Sequence, residues 1–179
     1  IKCLRFVKVI YAIPMNRSQS ILVIMLLFAV LNSCTEKARR AKVYHDEIAI
    51  TTAVVIDSVI DYGDAIHSGS RQIGLRVSGQ YLNLIGTTIE KVNQQGDFDA
   101  DTTLRTSSVS LLQFYQVYIS SNFVPYFNSF ENDSLDEFQI AITDSLHRKM
   151  MEGEVPHWSN FNNAEKKFSD KYDISSVKE

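Results

Sequence analysis

The chain has 179 residues, 45% of them apolar and 22% charged, with 18 Lys and Arg against 21 Asp and Glu and two cysteines. That is apolar material for one domain with a real core. Two cysteines exclude a disulfide-rich scaffold or a cysteine-rich metal framework.

Residues 1–14 (IKCLRFVKVIYAIP) precede the first methionine, Met15. From Met15 the pattern is that of an export signal. Asn16 and Arg17 give a short positive start, and Ile21 to Leu31 is an unbroken apolar run of 11 residues. That length lies within the roughly 7–15 expected of a signal core and below the about 20 that span a bilayer. Residues 1–14 are therefore expected to be translated upstream sequence, with Met15 the start. A longer natural positive region carrying Lys2, Arg5 and Lys8 is the alternative.

The run ends Leu31-Asn32-Ser33-Cys34. This resembles the lipobox of bacterial lipoproteins: an aliphatic residue, a variable one, a small one, then cysteine. A thiolate can be alkylated by a diacylglyceryl group, and the small residue lets a peptidase approach the bond. Asn32 departs from the small or aliphatic residue usual at the middle position. An ordinary signal peptide with a chance cysteine is the competing reading. The resemblance implies a lipoprotein signal peptide over 15–33 and acyl chains such as palmitate on Cys34. Membrane lipid is then the first partner. Each buried CH₂ contributes about 0.8 kcal/mol, and two or more chains hold a protein stably on a membrane. Thr35 follows the cysteine in place of an aspartate retention signal, so the outer membrane of the cell envelope is the expected address.

Cleavage at Cys34 would leave 146 residues with 14 Lys and Arg against 21 Asp and Glu, net −7. That balance argues against sequence-independent nucleic-acid binding, which needs a basic footprint. Cys34 would be the sole cysteine left, and acylated. That excludes a disulfide, a zinc–thiolate or an iron–sulfur site within one chain. No cofactor is expected.

Residues 34–43 are expected to form a lipidated tether, polar and charged (TEKARRAK). Arg39, Arg40 and Lys42 there either touch lipid headgroups or begin a solvated helix. From Tyr44 the apolar positions keep a helical beat: Tyr44, Ile48, Thr51, Val55, Val59, Tyr62, Ile66. The helix is expected to end near Gly63 to Gly69. A second helix is expected over about Arg71 to Gln95. It carries two stripes, Ile73, Val77, Tyr81, Leu84, Thr88, Val92 and Leu75, Gly79, Leu82, Gly86, Ile89. Gly79 and Gly86 cost helix stability, so they are expected to mark close approach by another helix of the same bundle, with a second subunit as the alternative.

Gly96 to Thr103 is expected to be a loop. A third helix runs from about Leu104 to Val124, on a stripe of Leu104, Leu111, Tyr115, Ile119 and Tyr126. Pro125 should kink or end it. Glu131 to Ser134 is a turn. A fourth helix carries Leu135, Phe138, Ile142, Leu146 and Met150, and Gly153 and Pro156 are expected to break it. A last stretch carries Trp158, Phe161, Ala164, Phe168 and Tyr172. The expected fold is all-α: an up-down four-helix bundle over 44–174 with a broken C-terminal helical extension and a tail from 175 to 179.

The chain from Tyr44 onward also resembles an uncharacterised family of surface lipoproteins from Gram-negative bacteria. The points of similarity are Tyr44-His45-Asp46-Glu47-Ile48, Leu112-Gln113-Phe114-Tyr115, and Phe161-Asn162-Asn163-Ala164-Glu165-Lys166-Lys167-Phe168-Ser169-Asp170-Lys171-Tyr172-Asp173-Ile174. The resemblance covers most of the chain after Cys34 but rests on spacing and residue class. Gly79, Gly86, Pro125 and Pro156 are local departures. The resemblance implies a lipobox and a small helical domain, and no activity.

Chemistry-bearing clusters each have a plainer explanation. Asp57, Asp61 and Asp64 share a helix face that could bind a cation, but that face lies opposite the core stripe and should be solvated. Asp97, Asp99 and Asp101 alternate like a calcium loop, yet Thr102 and Ser108 stand where glycine and glutamate are needed. A capping role for Asp101 or Thr102 is the stronger expectation. His45, His67, His147 and His157 show no metal-ligand spacing. His45 is expected at the core boundary, and His157 beside Trp158 is the position to watch. No nucleophile elbow or phosphate loop is present.

The aromatics Phe114, Tyr115, Tyr118, Phe123, Tyr126, Phe127 and Phe130 cannot all fit one face. Phe114, Tyr118, Phe127, Phe130 and Trp158 are therefore candidates for a ligand or contact surface. The expectation is a non-enzymatic, membrane-tethered interaction or structural protein with an envelope protein as partner. A binding module for a small apolar or amphipathic ligand is the second reading and an enzyme the third.

Overall fold

The computed structural model describes residues 17–177, with side chains from Thr35 onward. The expected upstream segment 1–14, the start at Met15 and the side chain of Cys34 lie outside the described residues. The chain is all-α. Its elements are α1 (Arg17–Ile66), α2 (Arg71–Gln94), α3 (Thr103–Tyr118), a π-helical turn (Ile119–Phe123), α4 (Val124–Asn128), α5 (Glu137–Tyr172) and a closing 3-10 turn (Ile174–Ser176). The described residues contain no strand. Contacts divide the chain into two units, Tyr44–Phe168 and the pair of segments flanking it.

In the flanking unit, the residues expected to form a tether are helical and belong to α1. Ala, Lys, Arg and Glu are strong helix formers, so TEKARRAK propagates the helix. Glu36 pairs with Arg39 at 2.7 Å one turn on. Ala38 and Ala41 are buried. The ring of Tyr172 lies beneath two ammonium groups, Lys37 at 5.4 Å and Lys171 at 5.1 Å from its centroid. Beyond α5, Asp173 turns left-handed and the 3-10 turn occupies the start of the expected tail.

In the unit Tyr44–Phe168, α1 buries Tyr44, Ile48, Val55, Val59, Tyr62 and Ile66, as the spacing predicts. One position differs: Thr52, and not Thr51, faces the core. Its hydroxyl donates to the Ile48 carbonyl at 2.7 Å and meets Ser108 Oγ at 2.6 Å. A threonine can be buried because both ends of its hydroxyl are satisfied. In α2 the buried line is Gly74, Ser78, Tyr81, Ile85, Thr88 and Val92. Tyr81, Thr88 and Val92 of the first expected stripe lie on this line, while Ile73, Val77, Leu84 and the second stripe stand on its shoulders.

Gly79 and Gly86 are corrected by the structure. Among the described residues nothing lies within 4 Å of where a Cβ would sit at either. The close approach is at Gly74, where three ring atoms of Phe127 stand 2.5, 2.6 and 2.7 Å from that point. Gly63 takes the His147 ring in the same way, at 2.6 Å.

Pro125 does not end the third helix. Immediately before it the chain shifts to a π-helical turn in which the Val124 N–H bonds to the Ile119 carbonyl. The proline enters α4 in its first turn, where its missing N–H is least costly. Asn122 Nδ2 donates to the Tyr118 carbonyl at 2.9 Å and satisfies an acceptor inside this change of register.

The expected break at Gly153 and Pro156 is also overturned, since α5 runs unbroken through both. Pro156 lies on the exposed face, where water can serve the carbonyl that loses its partner. Gly153 is closely packed, with Phe114 Cζ 3.0 Å from its Cβ position. The inward line of α5 is Thr143, His147, Met150, Glu154, His157, Phe161, Ala164 and Phe168, spaced by fours and threes without a phase change. Phe138, expected in the core, is 73% exposed.

Inter-helix pairs give the directions. Tyr81 OH donates to the Val55 carbonyl at 2.7 Å and Tyr62 OH meets Ser78 Oγ at 3.1 Å, so α1 and α2 run oppositely. Arg71 Nε donates to the Phe127 carbonyl at 2.9 Å, while Arg105 reaches Asn93 at 2.9 Å, so α2 opposes the rod of α3 and α4. His45 faces Glu165 at 3.9 Å and His67 faces Asp144 at 3.0 Å, so α1 opposes α5.

Two connections are pinned. Gly69, with φ 73°, lets Ser70 cap α2 by accepting from the Ile73 N–H. Asp133 reinforces this cap from across the fold: its carboxylate accepts from Gln72 N–H at 2.7 Å and from Ser70 Oγ at 3.0 Å. A carboxylate is favoured there by the unsatisfied N–H groups of the helix start.

Candidate functional site

From Thr106 to Phe130 the chain carries no Asp, Glu, Lys, Arg or His over 25 residues. The unit around it, Tyr44–Phe168, holds 17 Asp and Glu against 8 Lys and Arg, net −9. The uncharged run forms α3, the π-helical turn and α4. Its outward positions are Thr106, Ser110, Gln113, Val117, Ser120, Ser121, Pro125 and Asn128, all exposed. They follow the four–three spacing of one helical stripe, stepped by one residue at the π-helical turn. Val117, at the middle, is 61% exposed.

Beside this stripe lies an open cleft of about 390 Å³, lined by Ser110, Gln113, Phe114, Val117, Tyr118, Asn122 and His157. Phe114 and His157 stack with ring centroids 4.8 Å apart and planes 24° apart. Tyr118 is 5.9 Å from Phe114 and donates to the Leu146 carbonyl at 2.9 Å. Burial, and then the charge of Glu152, push the Tyr118 hydroxyl above its usual range, so it stays a neutral donor. Below the cleft, Tyr115 donates to Glu154. Burial raises the Tyr115 hydroxyl strongly, and the carboxylate partner adds to it.

Of the candidate surface residues, Phe114 and Tyr118 line the cleft together. Phe127 is a correction: it is fully buried, its ring filling the space over Gly74. Phe130 is half-buried and meets Tyr126 edge-on at 4.9 Å. Trp158 is 39% exposed, 6.1 Å from Phe161, and does not line the cleft. Ser110, Gln113, Val117, Asn122 and His157 complete the site. Of these only His157 stood out in the sequence; the absence of charge over 106–130 is the signal that finds the rest.

Ser110 Oγ is 3.4 Å from His157 Nδ1. Among the described residues no carboxylate orients that ring. What the cleft can do is hold a neutral group: aromatic faces for apolar surface, and hydroxyls and amides that both donate and accept.

The other clusters resolve as follows. Asp57, Asp61 and Asp64 are exposed on the outer face of α1. Asp97 is taken by Arg105 at 2.7 Å, and Asp101 accepts the Thr103 N–H at 3.0 Å as a cap. His45 sits at the core boundary with Nδ1 3.0 Å from Asp46. Burial raises the Glu165 carboxyl that faces His45 from α5, and His45 partly offsets this. His67 and His147 meet edge to face at 5.4 Å, and both Nε2 atoms are sealed from solvent without a hydrogen-bond partner among the described residues. The 3.0 Å approach of His67 Nε2 to Asp144 is close enough for a charge interaction but not aligned as a hydrogen bond. Burial, and then His67, lower the His147 imidazole. Among the described residues no group of three or more His, Cys, Asp or Glu could hold a metal ion, and no helix is long and apolar enough to cross a membrane.

The fold and site thus define a small all-helical domain, strongly acidic, with one uncharged aromatic face. No family model, curated protein or solved structure matches the chain.

Proposed function

We propose that this chain is a lipid-anchored, non-catalytic interaction protein of the bacterial cell envelope, held by acyl chains on Cys34 and binding through the face of α3 and α4. The anchor is supported by the apolar run Ile21 to Leu31 followed by Leu31-Asn32-Ser33-Cys34. An outer-membrane address follows from Thr35 after the cysteine. The contact face is carried by one observation: an exposed helical stripe without charge, next to an aromatic cleft, on a domain of net −9. Interface cores are depleted in charge and enriched in aromatic side chains.

Two measurements test this. Membrane fractionation of the full chain against Cys34→Ser should show the wild type in the membrane pellet and the variant released; equal partition removes the anchor. A photo-crosslinker placed at Gln113 or Val117 in living cells should give a discrete adduct, while one at Asp61 gives none. Equal labelling at all three sites would remove the contact face.

A second reading is favoured by the cleft itself. Phe114, Val117 and Tyr118 flanked by Ser110, Gln113 and Asn122 suit a small neutral amphipathic ligand. The neutral fluorophore N-phenyl-1-naphthylamine should brighten on binding and lose that signal in Phe114→Ala; an unchanged signal in the variant excludes this site.

A further inference from the structure

We propose that the uncharged stripe of α3 and α4 seats a second copy of this chain, the two copies meeting about a two-fold axis that passes near Val117. This deepens the reading of that stripe as the contact face and rests on it.

The argument begins with charge. A two-fold interface brings the same surface of both copies together, so a patch of one sign lying on or near the axis meets its own sign. The unit Tyr44–Phe168 carries net −9, and juxtaposed like charges are costly at an interface. The run from Thr106 to Phe130 is the longest in that unit without a charge. Two copies that approach on it oppose no like charges.

Self-complementarity also demands groups that can pair with their own kind. Gln113, Ser121 and Asn128 each offer both a donor and an acceptor, while Thr106 and Ser120, whose hydroxyls donate to carbonyls of their own helix, offer acceptors. Val117 offers an apolar centre, 61% exposed in the single copy. Position favours the same arrangement. Val117 is 11 residues from Thr106 and 11 from Asn128, so an axis there lays the stripe on itself from end to end.

Size then sets the conditions. At 1.5 Å per residue the stripe is about 34 Å long, and one helix about 10 Å wide gives roughly 350 Å² per copy. A free-standing complex buries about 800 Å² per partner. The pairing should therefore depend on both copies being held in one bilayer, which raises their effective concentration.

The test uses the full chain in its own membrane, in two copies with different tags. With a photo-crosslinker at Gln113, a product carrying both tags at twice the mass is expected, and it should fade when the protein is dispersed in excess detergent. Val117→Asp in both copies should reduce it at least tenfold, as should Val117→Lys in both. Val117→Asp in one copy with Val117→Lys in the other should restore it. That rescue also shows that the variants fold. A two-tag product indifferent to these changes overturns the two-fold contact. An adduct containing only a different protein overturns self-association and leaves the contact face standing. No adduct at either Gln113 or Val117 removes both.

Discussion

Replacing Gly74 and Gly79 by alanine, one at a time, separates a glycine demanded by packing from one that is not. Both lie inside α2, where alanine is favoured over glycine by about 1 kcal/mol. At Gly79 nothing among the described residues lies within 4 Å of the new methyl group, so Gly79→Ala should gain most of that. At Gly74 the methyl would stand 2.5 to 2.7 Å from Phe127 Cζ, Cε1 and Cε2. Those atoms must retreat by about 1 Å, and Phe127 is fully buried against Phe123 and Tyr126. Overpacking of this kind costs about 1–3 kcal/mol. Net of the helix gain, Gly74→Ala should lose up to about 2 kcal/mol, and the two variants should differ by about 1–3 kcal/mol. Urea unfolding followed by circular dichroism reads this as midpoints moving in opposite directions at constant slope. A second ring-shortening change, Phe127→Leu, should be milder on the Gly74→Ala background than on the wild type. Equal midpoints for Gly74→Ala and Gly79→Ala would refute the packing argument.

Three other outcomes are expected. Thr52→Val strands the buried Ser108 hydroxyl of their 2.6 Å contact and should cost about 1–3 kcal/mol, whereas Ser108→Ala leaves the Thr52 hydroxyl donating to the Ile48 carbonyl and should cost less; the double variant should cost less than the sum, measured by a double-mutant cycle. Burial holds the His147 imidazole below its usual value, so below that value the unfolded chain binds more protons than the folded one. Stability should therefore be full above about pH 6.5 and fall as pH drops toward the lowered folded value; His147→Gln should flatten that slope in melts from pH 7.5 to 5, and an unchanged slope would assign it elsewhere. Asp133→Ala removes the carboxylate on Gln72 N–H and Ser70 Oγ and should cost about 1 kcal/mol, with faster amide exchange at the start of α2.

The helical class and the core stripe of α1 were legible because aliphatic residues repeat at threes and fours from Tyr44 to Ile66. The phase of α2 was legible only in part: Tyr81, Thr88 and Val92 fall on the inward line, but Gly74 and Ser78 hide its start while Ile73, Val77 and Leu84 stand on its shoulder. In α5 Met150, Phe161, Ala164 and Phe168 lie inward as their spacing indicates, but Thr143, His147, Glu154 and His157 share that line, which hid its continuity and left Phe138 and Trp158 assigned to the core. Pro125 and Pro156 mark probable ends of helices only when the lost bond has no substitute; a register shift supplies one and an exposed carbonyl the other. Phe114 and Tyr118 were recognisable as surplus aromatics, but Phe127 was not separable from them. Its burial depends on Gly74, which lies 53 residues earlier. The rest of the site has no motif. It is defined by missing charge, which a search for reactive groups passes over.

The π-helical turn Ile119–Phe123 makes the rod from Thr103 to Asn128 one residue longer than a regular helix spanning the same height. Deleting a single serine, Ser120 or Ser121, would let that height be covered by ordinary helix while Leu104 to Tyr115 kept their seats. Insertion elsewhere in the rod has no such slack, because it would twist Phe123 and Phe127 away from their sockets by about a quarter turn. This place in the chain is therefore where related sequences can differ in length without losing the fold, and an alignment gap there would be the trace of it.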